Sequence, residues 1–108
     1  MSYVTNLILL PNIMENESWH PELLRRLSAS GPVSLVSVDG ALQGLPGKNL
    51  EADVYLCALN YFGPSSIHAA TAAVKWEHPE DLCYLIQDQH EDSWSFFRGT
   101  HPSEKGEA

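Results

Sequence analysis

Basic residues are scarce in this chain. Six Lys and Arg stand against fourteen Asp and Glu, a formal charge of −8 over 108 residues. A surface of that sign repels phosphate backbones, so no nucleic-acid partner is expected. Cysteine is equally sparse. Cys57 and Cys83 form no C-x-x-C pair and no loop framework, which removes the usual zinc and disulfide patterns and leaves free thiols of a reducing compartment as the expectation. Long hydrophobic runs are missing too. The stretch Leu7-Ile8-Leu9-Leu10 ends at Pro11, too short for a membrane span or a signal-peptide core. A cytoplasmic protein with no membrane partner is therefore expected.

Several chemical signatures are also absent. There is no G-x-S-x-G, no Walker loop and no calcium-loop pattern. Gly40, Gly44 and Gly47 lie at the wrong spacing for a dinucleotide fingerprint and do not open a helix. No cofactor and no bound metal are expected.

What the chain does contain is an apolar fraction of 44%, ordinary for a globular domain, in a length that supports one hydrophobic core. Residues 1–98 read as a single domain and 99–108 as a loose tail. Tyr3 to Leu10 reads as a first strand, apolar on both faces toward its end. Trp19, Leu23, Leu24 and Leu27 recur at helical spacing within Ser18–Ala29, with Pro21 in the first turn, where a missing N–H costs nothing. Ser30-Gly31-Pro32 breaks that helix. Val33 to Val38 alternates with serines, as an edge strand does, and a long loop is expected over residues 39–52.

Asp53 to Phe62 reads as a second interior strand, with Val54, Leu56 and Ala58 on one face and Tyr55, Cys57, Leu59 and Tyr61 on the other. Gly63-Pro64-Ser65-Ser66 opens a second helix whose buried side is Ile67, Ala70, Thr71 and Val74, closed by His78-Pro79. Leu82–Asp88 and Trp94–Phe97 make a hairpin across a polar turn.

The order is βαββαβ with one added strand. It predicts an α+β fold, the ferredoxin-like α/β plait, with strands ordered 4-1-3-2 and two helices on one face of an antiparallel sheet. Cys57 and Cys83 then stand two strand spacings apart, roughly 9 to 10 Å, beyond disulfide reach. Strands apolar on both faces need cover on the side without helices, which a homodimer or the long loop would provide.

Two sets of residues are candidates for function. Between Lys75 and Arg98 there are six acids and no Lys or Arg. Glu80, Asp81, Asp88, Glu91 and Asp92 could form an acidic docking surface for a basic protein, with Trp76 and Trp94 as apolar contacts. Asp88, His90, Glu91 and Asp92 crowd one turn but lack metal-site spacing. The other candidate is His68, near the start of the second helix, which could serve as an acid or base in a cavity lined by Tyr55 and Tyr61 on the open face of the sheet.

The run Trp76-Glu77-His78-Pro79-Glu80-Asp81, followed by Asp88-Gln89-His90-Glu91-Asp92, resembles a W-x-x-P-E-D and D-Q-x-E-D pattern of small uncharacterised bacterial proteins. The resemblance implies no activity. The leading functional expectation is a non-enzymatic protein-binding module of immunity or antitoxin-like type. The alternative is a small-molecule-binding or oxygenase-like enzyme of the dimeric α+β barrel type.

Overall fold

The structure, a computed structural model, describes residues 4–38 and 54–99. The loop expected over 39–52 lies outside the described residues, as does the expected tail beyond Gly99. The elements are β1 (Val4–Leu10), α1 (Trp19–Leu27), β2 (Val36–Ser37), β3 (Tyr55–Asn60), α2 (Pro64–Ala73), β4 (Cys83–Asp88) and β5 (Ser95–Arg98). Short 3₁₀ turns at Ser28–Ser30 and Pro79–Asp81 follow α1 and precede β4.

The five strands form one antiparallel sheet in the order β2-β3-β1-β4-β5. The first strand is the central one: Leu7 lies opposite Cys57 on β3 and Ile86 on β4, and Leu9 lies opposite Tyr55 and Tyr84. Alternation then sorts the side chains. Thr5, Leu7, Leu9, Cys57, Leu59, Tyr84 and Ile86 are buried on one face, under Leu23 and Leu27 of α1 and Ile67, Ala70 and Val74 beside and within α2. Truncating one of these buried leucines to alanine costs about 2–5 kcal/mol. Ile67, Ala70, Thr71 and Val74 are all buried, as the helical spacing predicts.

The opposite face holds the other half of each strand. Register aligns Val36, Leu56, Ile8, Leu85 and Phe96 in one row across all five strands. Val36, Leu56 and Phe96 are 57%, 43% and 61% exposed. Tyr55 belongs to the helix-covered face, packed edge-on against Trp19 at 4.9 Å. The expectation that it lies on the open face is therefore corrected. The outward residues of β3 are Leu56 and Ala58.

Three boundaries differ from the sequence expectation for identifiable reasons. The edge strand expected over Val33–Val38 pairs only in its second half: Val36 and Ser37 lie opposite Leu56 and Tyr55, and Val38 N–H donates to the Val54 carbonyl at 3.0 Å. Pro32 has no N–H to give, and the carbonyl of Leu35 is held by His20 Nε2 at 3.0 Å. A carbonyl only accepts, so Nε2 carries the proton. The second helix stops at Ala73, before His78-Pro79, because Val74 turns to extended backbone at φ −78°, ψ 144°. Trp76 Nε1–H then donates to the Thr71 carbonyl at 2.8 Å, satisfying one of the acceptors that every helix C-terminus leaves open. Beyond β3 the chain reverses at Tyr61, whose φ of 56° is left-handed, an uncommon conformation for an aromatic residue.

Both cysteines are free. They stand on β3 and β4 with β1 between them, and the register also turns them to opposite faces, since Cys57 pairs with Leu7 and Cys83 with Leu10.

Candidate functional site

The acidic residues of the C-terminal third are contiguous in sequence but not in space. Glu80 and Asp81 sit on the 3₁₀ turn that enters β4, whereas Asp88, Glu91 and Asp92 sit where it leaves. Six residues of strand put roughly 17–20 Å between the two groups. The first group is tied locally: Asp81 Oδ2 accepts from Asn12 Nδ2 at 2.9 Å, and the Glu80 carbonyl accepts from Arg98 Nε at 3.3 Å.

The second group makes the β4–β5 turn. Asp88 shapes it, with Oδ1 accepting from His90 N–H at 3.0 Å and its carbonyl accepting from Glu91 N–H at 2.9 Å, the geometry of an Asx turn. Gln89 Oε1 accepts from Val4 N–H at 2.6 Å and ties the turn to the central strand. Glu91, Asp92 and Trp94 are left exposed on this scaffold. Residues 76–97 contain no Lys or Arg, so no sequence neighbour neutralises the turn. Trp76 is not part of it: half-buried, it stacks on Trp19 at 5.4 Å.

His68 has a different role from the one its position implies. Its Nδ1 lies 2.6 Å from the Tyr84 hydroxyl, and its ring meets Phe97 edge-on at 4.4 Å. Tyr84 is fully buried, and burial raises the pKa of its phenol, keeping the hydroxyl protonated as a donor. Thr71 Oγ1 donates to the His68 carbonyl at 3.0 Å within α2, and the His68–Tyr84 contact joins that helix to β4. Tyr55 packs against Trp19 and His20 at the other side of β1. His68 and Tyr55 therefore do not share a cavity wall, and Tyr61 stands exposed beyond the end of β3.

Two features were missed by sequence reasoning. A cleft of about 610 Å³ lies beside the start of α1, with Trp19, His20, Tyr55, Glu15 and Glu17 in its lining. Within it, the Glu15 carboxylate accepts from the N–H groups of Glu77 and His78, at 2.6 and 3.0 Å, and from Asn16 Nδ2 at 3.0 Å. Glu77 and His78 are 62 and 63 residues away in the chain. No local pattern announces such a contact. The other feature is His78, Glu80 and Asp81, which bring one ligand atom each within 4.8 Å of one another. Glu80 and Asp81 are exposed, and exposed acidic groups gather this way without an ion.

No protein-family model matches this chain, and comparison with curated proteins and with solved structures returns no match. The candidate site thus rests on geometry and charge alone. Among the described residues, no helix is long and apolar enough to cross a membrane.

Proposed function

We propose that this chain is a non-enzymatic protein-binding module that receives a basic protein at its β4–β5 turn, with an immunity or antitoxin-like role as the concrete form. One observation carries the reading. Glu91, Asp92 and Trp94 stand exposed together on a turn whose backbone is fixed by Asp88 and by the Gln89 tie to β1. Two carboxylates steer a cationic partner, and an adjacent indole supplies apolar area and a donor at the contact. Asp88 acts by holding the turn. Glu80, Asp81 and Trp76 lie outside this surface.

The fold behind it is, on this reading, the ferredoxin-like α/β plait extended by one strand. Support comes from the strand order, which read from the other edge is 5-4-1-3-2, and from α1 and α2 packing on one face. Two free thiols fit a reducing setting, and the cytoplasm is the compartment we assign. An enzyme built on His68 is disfavoured, because its Nδ1 is engaged by a hydroxyl that lies fully buried.

The test is capture of partners from the source lysate at low and high salt, using wild-type protein and the Glu91→Lys/Asp92→Lys double variant. A basic protein captured by wild type and released by salt supports the reading. Its association rate with the double variant should fall about tenfold or more at low ionic strength. Equal capture by both proteins sinks it.

A further inference from the structure

Among the described residues, the sheet face away from α1 and α2 carries no covering element, which poses a separate problem. A row of Val36, Leu56, Ile8, Leu85 and Phe96 crosses the whole sheet, and its two ends and Leu56 are exposed. Scattered apolar side chains on a surface need no explanation, but a continuous row spanning five strands marks an interaction face. We propose that a second copy of this chain covers it, sheet against sheet, in a two-fold homodimer.

Charge favours this occupant. The chain carries −8, so two copies repel wherever their carboxylates meet. Of the described strand residues that alternate onto this face, none is acidic and only Arg98 is charged. Beside the row, Asn6 Nδ2 donates to Gln87 Oε1 at 3.2 Å, so the polar groups flanking it are uncharged amides. A basic partner finds no carboxylate on these strands to attract it and is drawn instead to the β4–β5 turn. The face therefore accommodates a like-charged copy better than a cationic protein.

Shape agrees. A two-fold axis lying in the interface along β1 seats Leu56 over Leu85 of the partner subunit, and Val36 over the partner's Phe96. Small residues at one edge thus meet large ones from the other, as interdigitating layers require. β2 and β5 are shorter than the three middle strands, so the sheet face is roughly 400 Å² and two copies bury on the order of 800 Å². An interface of that size is weak, and the dimer should dissociate on dilution.

This inference does not depend on the acidic turn, and the experiment keeps the two apart. Molar mass is measured by sedimentation equilibrium at protein concentrations of roughly 1 to 200 μM, a window set by the interface size, for wild type, Leu56→Asp, Phe96→Asp and Glu91→Lys/Asp92→Lys. Wild type and the turn variant should shift from monomer to dimer with concentration, while both face variants stay monomeric with unchanged far-UV circular dichroism. A wild type that remains monomeric throughout overturns the proposal, as it would if the chain's own residues 39–53 covered the face. A dimer that persists in both face variants overturns it as well.

A readout that needs no substitution accompanies this. Cys83 lies on the same face as Leu85, so its alkylation rate in wild-type protein should fall as the dimer forms. A rate that stays constant across the mass transition shows that the dimer leaves this face open and refutes the assignment.

Discussion

Replacing Glu15 with alanine removes one carboxylate and deprives three donors at once. Two of these are backbone N–H groups, of Glu77 and His78, and the third is the Asn16 amide. Net hydrogen bonds to a charged group are worth about 1.5–3 kcal/mol when well sheltered. The Glu15 site is only half-buried and water can replace part of what is lost, so the expected cost is about 1.5 kcal/mol. For a chain of this length the unfolding entropy is about 0.23 kcal/mol/K, which converts that cost to a fall of about 6–7 °C in Tm. Glu15→Gln keeps one acceptor oxygen but turns an NH₂ group toward a second donor, so it should recover less than half of the loss. Glu17→Ala, exposed beside the same cleft, should stay within about 0.5 kcal/mol of wild type. Urea unfolding measures all three. Native-state hydrogen exchange adds a local reading: the Glu77 and His78 amides should exchange faster in Glu15→Ala, while those of β1 change only with global stability. If Glu15→Ala unfolds within 0.3 kcal/mol of wild type, a difference of roughly the error of additivity, the clamp contributes nothing and the reasoning fails.

Other outcomes follow from buried groups. Thr5 is fully buried on the helix-covered face and its Oγ1 has no hydrogen-bond partner, so Thr5→Val should raise stability by about 1 kcal/mol in urea unfolding; a loss would mean that the hydroxyl is satisfied. Burial pushes the Cys57 thiol from 9.0 up to about 11, and burial raises Tyr84 as well. Groups whose folded-state pKa is raised contribute stability that is intact below the unfolded value and lost above it. The urea midpoint should hold at pH 8 and decline between pH 9 and 11, and a midpoint that rose there would contradict the assignment. At pH 8 a thiol reagent should modify half-buried Cys83 before Cys57. A double-mutant cycle on His68→Ala and Tyr84→Phe should return a coupling of about 1 kcal/mol, and additive losses would show the 2.6 Å contact to be energetically idle.

Much of this architecture was legible because local signals and tertiary needs agree. The alternation of β3, the Gly63-Pro64 helix start and the buried side of α2 each follow from spacing alone. What escaped were properties that depend on partners distant in the chain. The face to which Tyr55 turns is set by which side α1 packs on, and a period of two cannot distinguish inside from outside when both faces are apolar. The acid-rich segment looked like one surface because its members are neighbours in sequence, yet β4 runs through its middle and carries its halves to opposite ends of the sheet. Trp76 looked like an exposed contact and instead packs on Trp19, 57 positions earlier in the chain. Glu15 gave no sign of its role, because its acceptors serve amides that approach only when the loop after β1 meets the segment after α2.

The central position of β1 also bears on how the chain is made. Of the five strands it is translated first, yet its neighbours come much later: Leu7 pairs with Cys57 and then with Ile86. At roughly 5–20 residues per second, Leu7 precedes Ile86 by roughly 4–16 s during synthesis. Through that interval the most apolar strand of the protein has at least one unpaired edge, open to other nascent chains and to chaperones. Fragments released early, from stalled ribosomes or damaged messages, would carry this strand without the hairpin that seals it and would be substrates for quality control.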